Sequence, residues 1–317
     1  MKAVAQSKVS PDWPISKLIE AFGAELEFSR ALAPLTSFET GGPARYFLVA
    51  RSVDEVVRAV KSARRLQVPY VVIGGGSNLL VSDAGFDGLV IRLEIKGLRL
   101  LADNLVEVGG GEALFDVVNF TAENGLTGME FAAGIWGTVG GAIYGNAGAF
   151  GGEVGRVLES AILVNNSGAV KQAERAYFHF EYRHSILKET HEIVASARFH
   201  LAPADPKTVE TRIDEILSQR VARHPDRRTA GCFFRNIPDP TQQYGKLSAG
   251  RLLEEVGAKE LSVGGARVYE KHANIIINSG GATSKDIRQL ADIMKQRVLD
   301  RFGIELQEEV QQLGSFS

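Results

Sequence analysis

Residues 70–78 read Tyr-Val-Val-Ile-Gly-Gly-Gly-Ser-Asn, a short apolar run followed directly by three glycines and two small polar residues. The run predicts a buried strand, and the loop formed by Gly74, Gly75, Gly76, Ser77 and Asn78 resembles a phosphate-binding loop, because no bulky side chain shields its backbone N–H groups. Considered alone, the same sequence is equally typical of a tight turn between two strands that binds no ligand. The Rossmann spacing Gly-x-Gly-x-x-Gly is excluded, because Leu79 occupies the position of the last glycine.

A second glycine-rich segment lies about sixty residues further on. Nineteen of the 34 glycines fall between Gly74 and Gly152, and such density requires a reason because glycine costs backbone entropy. Two such surfaces could hold the two ends of a dinucleotide pyrophosphate, although a close-packed bend in a core accounts for the glycines as well. The positions that would offer this second backbone surface are Gly137, Thr138, Gly140, Gly141, Asn146 and Gly148.

The composition restricts the class of protein. Apolar residues make up 44% of the 317 positions and charged residues 23%, which is typical of a globular chain with a real core. A net charge of -2 makes nucleic acid a poor partner. The single cysteine, Cys232, allows no internal disulfide, and the histidines lack zinc spacing. We see no secretory signal and no run long enough to span a membrane, so we expect a cytoplasmic monomer without a metal.

The periodicity of apolar residues predicts an α+β chain. Helix 284–302 is the clearest, with a capping pair at Thr283 and Asp286. We place a domain boundary at residues 203/204, giving a first domain at 1–203 with subdomains at about 14–90 and 91–203, and a second domain at 204–317. The remaining predicted helices lie at 14–32, 53–66, 113–124, 207–222 and 249–257, and the main strands at 79–81, 89–91, 105–108, 160–165, 193–200 and 304–313.

Three long motifs, in this order, carry a family resemblance. They are TSFETGGPARYFLVA at 36–50, VIGGGSNLLVSDAGFDGLVI at 72–91 and GMEFAAGIWGTVGGAIYGNAGAFGGEV at 128–154. Together they resemble the UDP-N-acetylenolpyruvoylglucosamine reductases, over most of the chain. The resemblance implies an FAD-binding fold of the vanillyl-alcohol-oxidase (PCMH) type with a C-terminal α+β substrate domain. It also implies that NADPH reduces FAD, which then reduces the enolpyruvyl ether of a UDP-sugar in peptidoglycan precursor synthesis.

The same resemblance assigns three catalytic residues. Arg183, in Tyr-Arg-His-Ser, matches the arginine that polarises the substrate carboxylate. Cys232 replaces the usual proton-donating serine, and we expect its thiol, with a reference pKa of about 8.5, to be a stronger acid than an alcohol. Glu309 matches the glutamate that stabilises the intermediate, although Glu308 stands where proline is usual. A surface ion pair, a buried small hydrophobe and an exposed strand carboxylate are the structural alternatives for these residues.

Further positions match the family near its substrate, namely Tyr182, Arg235 and Asn236. Trp136 replaces the usual proline after Gly134-Ile135, which removes no chemical group that the reaction needs. Two other functions stay open: another FAD oxidoreductase of the same fold, and a protein that binds flavin or a nucleotide sugar without turnover. The first would share the glycine motifs but not the set of three catalytic residues, and the second is suggested only by the replaced serine.

Overall fold

The computed structural model describes residues 15–226, 228–242 and 245–316. The first sheet has four strands, of which the first two are antiparallel and the others parallel. Helix Val53–Arg65 buries Val56, Ala59 and Val60 in the core beside this sheet, and it begins at Ser52, whose hydroxyl accepts from the Glu55 N–H at 3.2 Å. The strands follow the spatial order Glu27–Ala31, Pro43–Ala50, Phe86–Leu93 and Tyr70–Ile73.

The predicted helix 14–32 is wrong beyond its first two turns. The helix spans Ile15–Phe22, and strand Glu27–Ala31 follows it; residue 14 lies outside the described residues. Gly23 adopts a φ of +53°, a left-handed conformation that ends helices. Pairing of the next residues with Pro43–Ala50 then overrides their helical pattern, because tertiary contacts outweigh local propensity.

The second sheet has five antiparallel strands and a separate core. Helix Pro206–Arg223, which the sequence places in the C-terminal domain, buries Val209, Ile213 and Ile216 in this second core. The boundary at 203/204 stays a prediction. The strands follow the order Val170–Glu174, Leu158–Val164, Ile193–His200, Leu105–Gly109 and Leu98–Leu100, and helices Leu114–Glu123 and Val139–Gly145 pack into the same core.

The C-terminal part is built on a small antiparallel sheet and two helices. Helix Ser284–Phe302 has the predicted capping box, since Thr283 and Asp286 each accept from the other's backbone N–H. The predicted helix is confirmed, and it buries one apolar face: Ile287, Leu290, Met294 and Val298 are fully buried, and Phe302 packs against the same core. The other elements are helix Ala249–Glu255 and strands Ser262–Val263, Ala266–Tyr269 and His272–Asn278.

The C-terminal tail returns to the first half of the chain. The predicted strand 304–313 is reduced to Gln311–Leu313, which pairs in parallel with Leu79–Val81. Glu308, further back, makes only an isolated bridge to Phe234. The remaining short elements are strands Leu126–Thr127, Gly148–Ala149, Gly152–Glu153, Ala202–Pro203, Ile237–Pro238 and Lys246–Leu247, helices Val154–Val157 and Leu187–Thr190, and 3-10 turns Gly23–Glu25, Ala33–Leu35, Ala102–Asn104, Glu130–Ala132, Arg175–Phe178 and Ala258–Glu260. No described helix combines the length and apolar character needed to cross a membrane.

Candidate active site

A cavity of about 2360 Å³ lies where the two sheets and the C-terminal part meet. Pockets for one small ligand usually enclose about 300–1,000 Å³, so this cavity has room for more than one. Its wall contains most residues predicted for the cofactor and all three predicted catalytic residues. These are Gly74, Gly75, Gly76, Ser77, Asn78, Gly137, Thr138, Gly140, Gly141, Gly148, Arg183, Cys232 and Glu309.

The two glycine-rich segments touch each other in the cavity wall. A Cβ atom on Gly74 would lie 2.3 Å from Thr138 Oγ1, and one on Gly137 would lie 2.7 Å from Ser77 Oγ. Side chains at these two positions would therefore force the Thr138 and Ser77 hydroxyls to move. A narrow cradle of backbone beside a large cavity fits the pyrophosphate of FAD. The Gly140 N–H is already paired, because it donates to Gly110 O at 2.8 Å.

Asn78 connects the first glycine segment to the C-terminal tail. Its side-chain amide donates to Glu309 O at 3.0 Å, and its carbonyl accepts from the Gln311 N–H at 3.0 Å. These two hydrogen bonds hold the Gly74–Asn78 loop next to Glu309, although Asn78 and Glu309 lie 231 residues apart in sequence.

Asn146 differs from the other residues predicted to bind the cofactor. Its side chain is 1% exposed and does not line the cavity. The amide donates to Glu181 O at 2.9 Å, and the side-chain oxygen accepts from the Gly155 N–H at 2.9 Å. The side chain thus supports the turn at 181–184, a role that its place among the glycines could not reveal.

Arg183 occupies the second central position of a two-residue turn that Glu181 and His184 close with paired backbone hydrogen bonds of 3.1 Å. Its φ is +56°, a conformation that costs a non-glycine residue about 1–2 kcal/mol. The guanidinium Nε lies 2.8 Å from Glu309 Oε1. The two charges attract each other without hydrogen-bond alignment, so the buried Nε–H has no hydrogen-bond partner within the described chain.

Cys232 is half-buried beside this ion pair. Backbone hydrogen bonds join its strand-like neighbours to the tail, since the Glu309 N–H donates to Phe233 O at 2.8 Å. Burial raises the pKa of the thiol to about 12, and the negative charge of Glu309 contributes to this rise. The sequence suggested an acidity near the reference value, and the structure corrects this: the thiol keeps its proton throughout the neutral range.

The three residues predicted near the substrate lie behind the cavity wall and do not line it. Lys246 Nζ lies 3.4 Å from the centroid of the Tyr182 ring. The Asn236 side-chain oxygen accepts from the Ala249 N–H at 3.1 Å, at the start of helix Ala249–Glu255. Arg235 differs from Tyr182 and Asn236, because its buried Nε has no hydrogen-bond partner among the described residues.

Two cations in the cavity wall were not identified from the sequence. Arg220 packs its guanidinium over the Phe150 ring at 5.4 Å, and its buried Nε lacks a hydrogen-bond partner within the described ranges. Lys188 donates to Arg183 O at 2.7 Å. Lys188 lies near Arg183 and Arg235, with Glu309 as an opposing charge. Arg220 lies near Arg183 as well, so this part of the site suits an anionic ligand. Lys188 could have been found from its spacing to Arg183, whereas nothing distinguishes Arg220 from other arginines of its charged helix.

His272 allows a prediction about stability. Burial lowers the pKa of His272 to about 4, and the nearby His224 ring contributes. Below about pH 6.5 His272 is protonated in the unfolded chain but stays neutral in the folded chain, so the free energy of unfolding falls as the pH falls. We expect His272 to account for a loss of about 2 kcal/mol in the free energy of unfolding between pH 7 and pH 5. In urea unfolding, the free energy of unfolding of His272→Gln should depend less on pH than that of the wild type, whereas the exposed control His200→Gln should behave like the wild type. The same pH dependence in His272→Gln and the wild type would contradict the assignment.

Comparisons with known proteins agree with this site. Residues 44–174 match the FAD binding domain model, and residues 223–313 match the model of the UDP-N-acetylenolpyruvoylglucosamine reductase C-terminal domain. The reductase of Lactobacillus delbrueckii subsp. bulgaricus is 38% identical, covering 93% of this chain and 98% of its own. That of Gloeobacter violaceus is 38% identical, covering 92% and 97%. The crystal structure of the Thermus caldophilus reductase superposes with a TM-score of 0.77 at 34% identity, covering 92% and 98%.

The two domain matches and the superposition confirm the predicted fold, an FAD-binding domain of the vanillyl-alcohol-oxidase type followed by an α+β substrate domain. They also confirm FAD as the cofactor, with NADPH as the reductant of this enzyme class. The chain therefore belongs to the UDP-N-acetylenolpyruvoylglucosamine reductase family, the FAD-dependent oxidoreductases of peptidoglycan precursor synthesis.

Proposed function

We propose that Arg183, Cys232 and Glu309 carry out the family's reaction in this chain, the reduction of the enolpyruvyl ether of UDP-N-acetylglucosamine to UDP-N-acetylmuramate. One observation carries the proposal: three residues up to 126 positions apart in sequence meet at one wall of the cavity, with Arg183 Nε 2.8 Å from Glu309 Oε1 and Cys232 beside both. An FAD oxidoreductase of another specificity would not need this set. A protein that only binds flavin would not need a proton donor beside such an ion pair.

The glycine segments at Gly74–Ser77 and Gly137–Thr138 would hold FAD. When bound, FAD supplies the hydride that it has received from NADPH. The large cavity leaves space beside the cofactor for a second ligand, as a reaction requires in which NADPH and the UDP-sugar take turns.

Arg183 binds the enolpyruvyl carboxylate. Its side chain lines the cavity, and a guanidinium can hold a carboxylate with two parallel hydrogen bonds. Hydride addition to the terminal carbon places negative charge on the neighbouring carbon and its carboxylate, and Arg183 stabilises that charge as it develops. Arg220 adds positive charge for the rest of an anionic substrate.

Cys232 donates the proton. Its Sγ–H bond breaks as a C–H bond forms at the carbon next to the carboxylate, and a thiolate remains. The positive charges of Arg183 and Arg220 favour this thiolate, whereas Glu309 and burial favour the thiol before the step. Because the residue is half-buried and lines the cavity, solvent can return the proton. Glu309 also orients the guanidinium of Arg183 through their contact.

We also propose that the chain acts as a monomer in the cytoplasm, with separate FAD and substrate domains divided near residue 204. All the site residues come from one chain, so no second copy is needed to complete the cavity. NADPH and nucleotide sugars are cytoplasmic metabolites, and a lone cysteine suits a reducing compartment. Light scattering should return the mass of one chain, 34.3 kDa, whereas twice that mass would contradict the monomer.

The decisive experiment separates the two half-reactions by flavin absorbance. NADPH alone should bleach the yellow protein, and the enolpyruvyl UDP-sugar, added without oxygen, should restore the colour. Recovery with other electron acceptors but not with this substrate would favour another oxidoreductase of the same fold. A protein that binds flavin but is not bleached would favour the binding function.

A further inference from the structure

Lys188 lies beneath the turn that presents Arg183. Its Nζ donates to the Arg183 carbonyl at 2.7 Å, and the ammonium sits 5.8 Å from the centroid of the Tyr144 ring. The residue is half-buried and lines the cavity. A lysine seldom leaves solvent in this way without a specific partner, because burying a charge is unfavourable unless it is compensated.

The turn needs such support. Arg183 has a φ of +56° at a turn position that usually requires glycine, so its backbone would relax if nothing held it. Relaxation would rotate the peptide plane and redirect the guanidinium away from the place where a carboxylate binds. The Lys188 hydrogen bond fixes the carbonyl of that same peptide.

The support also reaches the cofactor side of the cavity. The Ser185 hydroxyl donates to Tyr144 O at 2.8 Å, and Tyr144 belongs to helix Val139–Gly145, which begins at the second glycine segment. Lys188 and Ser185 therefore fasten the Arg183 turn to the helix that follows the flavin cradle. A shift of this turn would change the distance between the substrate carboxylate and the flavin.

We propose that Lys188 is a positioning residue for substrate reduction, acting through the Arg183 carbonyl to hold the left-handed turn that aims the Arg183 guanidinium. This inference rests on the proposed function of Arg183 as the carboxylate-binding group. A charged amine makes a stronger hydrogen bond to a carbonyl than a neutral one, so the turn is held best while Lys188 is protonated.

The surroundings of Lys188 place the loss of that proton in an accessible range. The pKa of Lys188 is lowered to about 8, mainly by burial and next by the positive charge of Arg235. The positive charge of Arg183 also lowers this pKa, whereas the negative charge of Glu309 raises it. Tyr144 faces the ammonium with its ring. Reoxidation of the flavin by substrate should accordingly slow above about pH 8.

The test measures the two half-reactions in Lys188→Met, Lys188→Arg and the exposed control Lys207→Met. We expect Lys188→Met to slow flavin reoxidation by the enolpyruvyl substrate by about 100-fold, as a misplacement of about 1 Å can, while flavin reduction by NADPH and the control stay unchanged. Lys188→Arg keeps a donor that does not titrate, so it should restore most of the rate and remove the decline above pH 8. Normal reoxidation in Lys188→Met would overturn the proposal.

A double variant distinguishes positioning from a general structural role. In an Arg183→Lys background, Lys188→Met should cause little additional loss, because the residue acts through Arg183 and the two effects are not additive. Additive losses would overturn the proposal. If Lys188→Met does not fold, the pH profile of Lys188→Arg decides, since an unchanged decline above pH 8 contradicts it. A wild-type protein that is bleached by NADPH but not reoxidised by substrate would contradict the proposed function instead.

Discussion

Cys232→Ala is expected to slow reoxidation of the flavin by the enolpyruvyl substrate by about 10²–10⁴-fold, the usual contribution of a positioned general acid. Hydride addition would leave negative charge on carbon with no nearby group to protonate it. Reduction of the flavin by NADPH should survive, because it needs neither the thiol nor the substrate carboxylate. Stopped-flow absorbance measures both steps on the same protein.

Cys232→Ser is the matched variant. A hydroxyl has nearly the size of the thiol and can donate a proton from the same position, so activity should be kept. The raised pKa of Cys232 adds a second check, because a thiol with a pKa of about 12 stays protonated to the alkaline limit of the assay. A decline above pH 8 that persists in Cys232→Ser therefore belongs to another group, for which Lys188 is our candidate. Normal turnover in Cys232→Ala would exclude the thiol as proton donor.

Elements with a strong local signal were predictable. Helix Ser284–Phe302 carries both its apolar stripe and its capping box in its own residues. Segments whose structure depends on distant partners were not. The tail after Ile304 alternates like a strand, yet only Gln311–Leu313 pairs, because its partner Leu79–Val81 lies more than 200 residues away and meets only these residues.

The site shows the same division. Arg183, Cys232 and Glu309 were named through motifs that stay recognisable in the chain, although Cys232 replaces the usual serine. Lys188 and Arg220 were missed, because a cation is assigned to a site by what surrounds it. Arg220 faces the cavity since its helix packs against Gly134, where a Cβ atom would lie 2.7 Å from Arg220 Cδ. For Asn146, the neighbouring glycines suggested a cofactor contact, whereas the structure shows a side chain that supports the 181–184 turn.

Gly76→Ala is expected to abolish FAD binding. A Cβ atom at this position would lie 1.9 Å from Leu35 O, a backbone oxygen that cannot rotate away, and the residue has a φ of +65° that alanine disfavours. Either the Leu35–Thr36 segment or the Gly74–Asn78 loop must move. We expect a loss of about 3 kcal/mol or more in stability, together with purified protein that carries no flavin.

Gly281→Ala separates the clash from the backbone strain. Its φ of +70° is nearly the same, but nothing lies within 4 Å of the added Cβ atom, and the residue is exposed. This control should therefore cost about 1–2 kcal/mol and keep its full complement of FAD. Flavin content per chain after purification, and the affinity of apoprotein for added FAD, are the measurements. Full flavin content in Gly76→Ala would contradict a cradle built from close backbone contact, because the loop would then tolerate a displacement that such a cradle cannot.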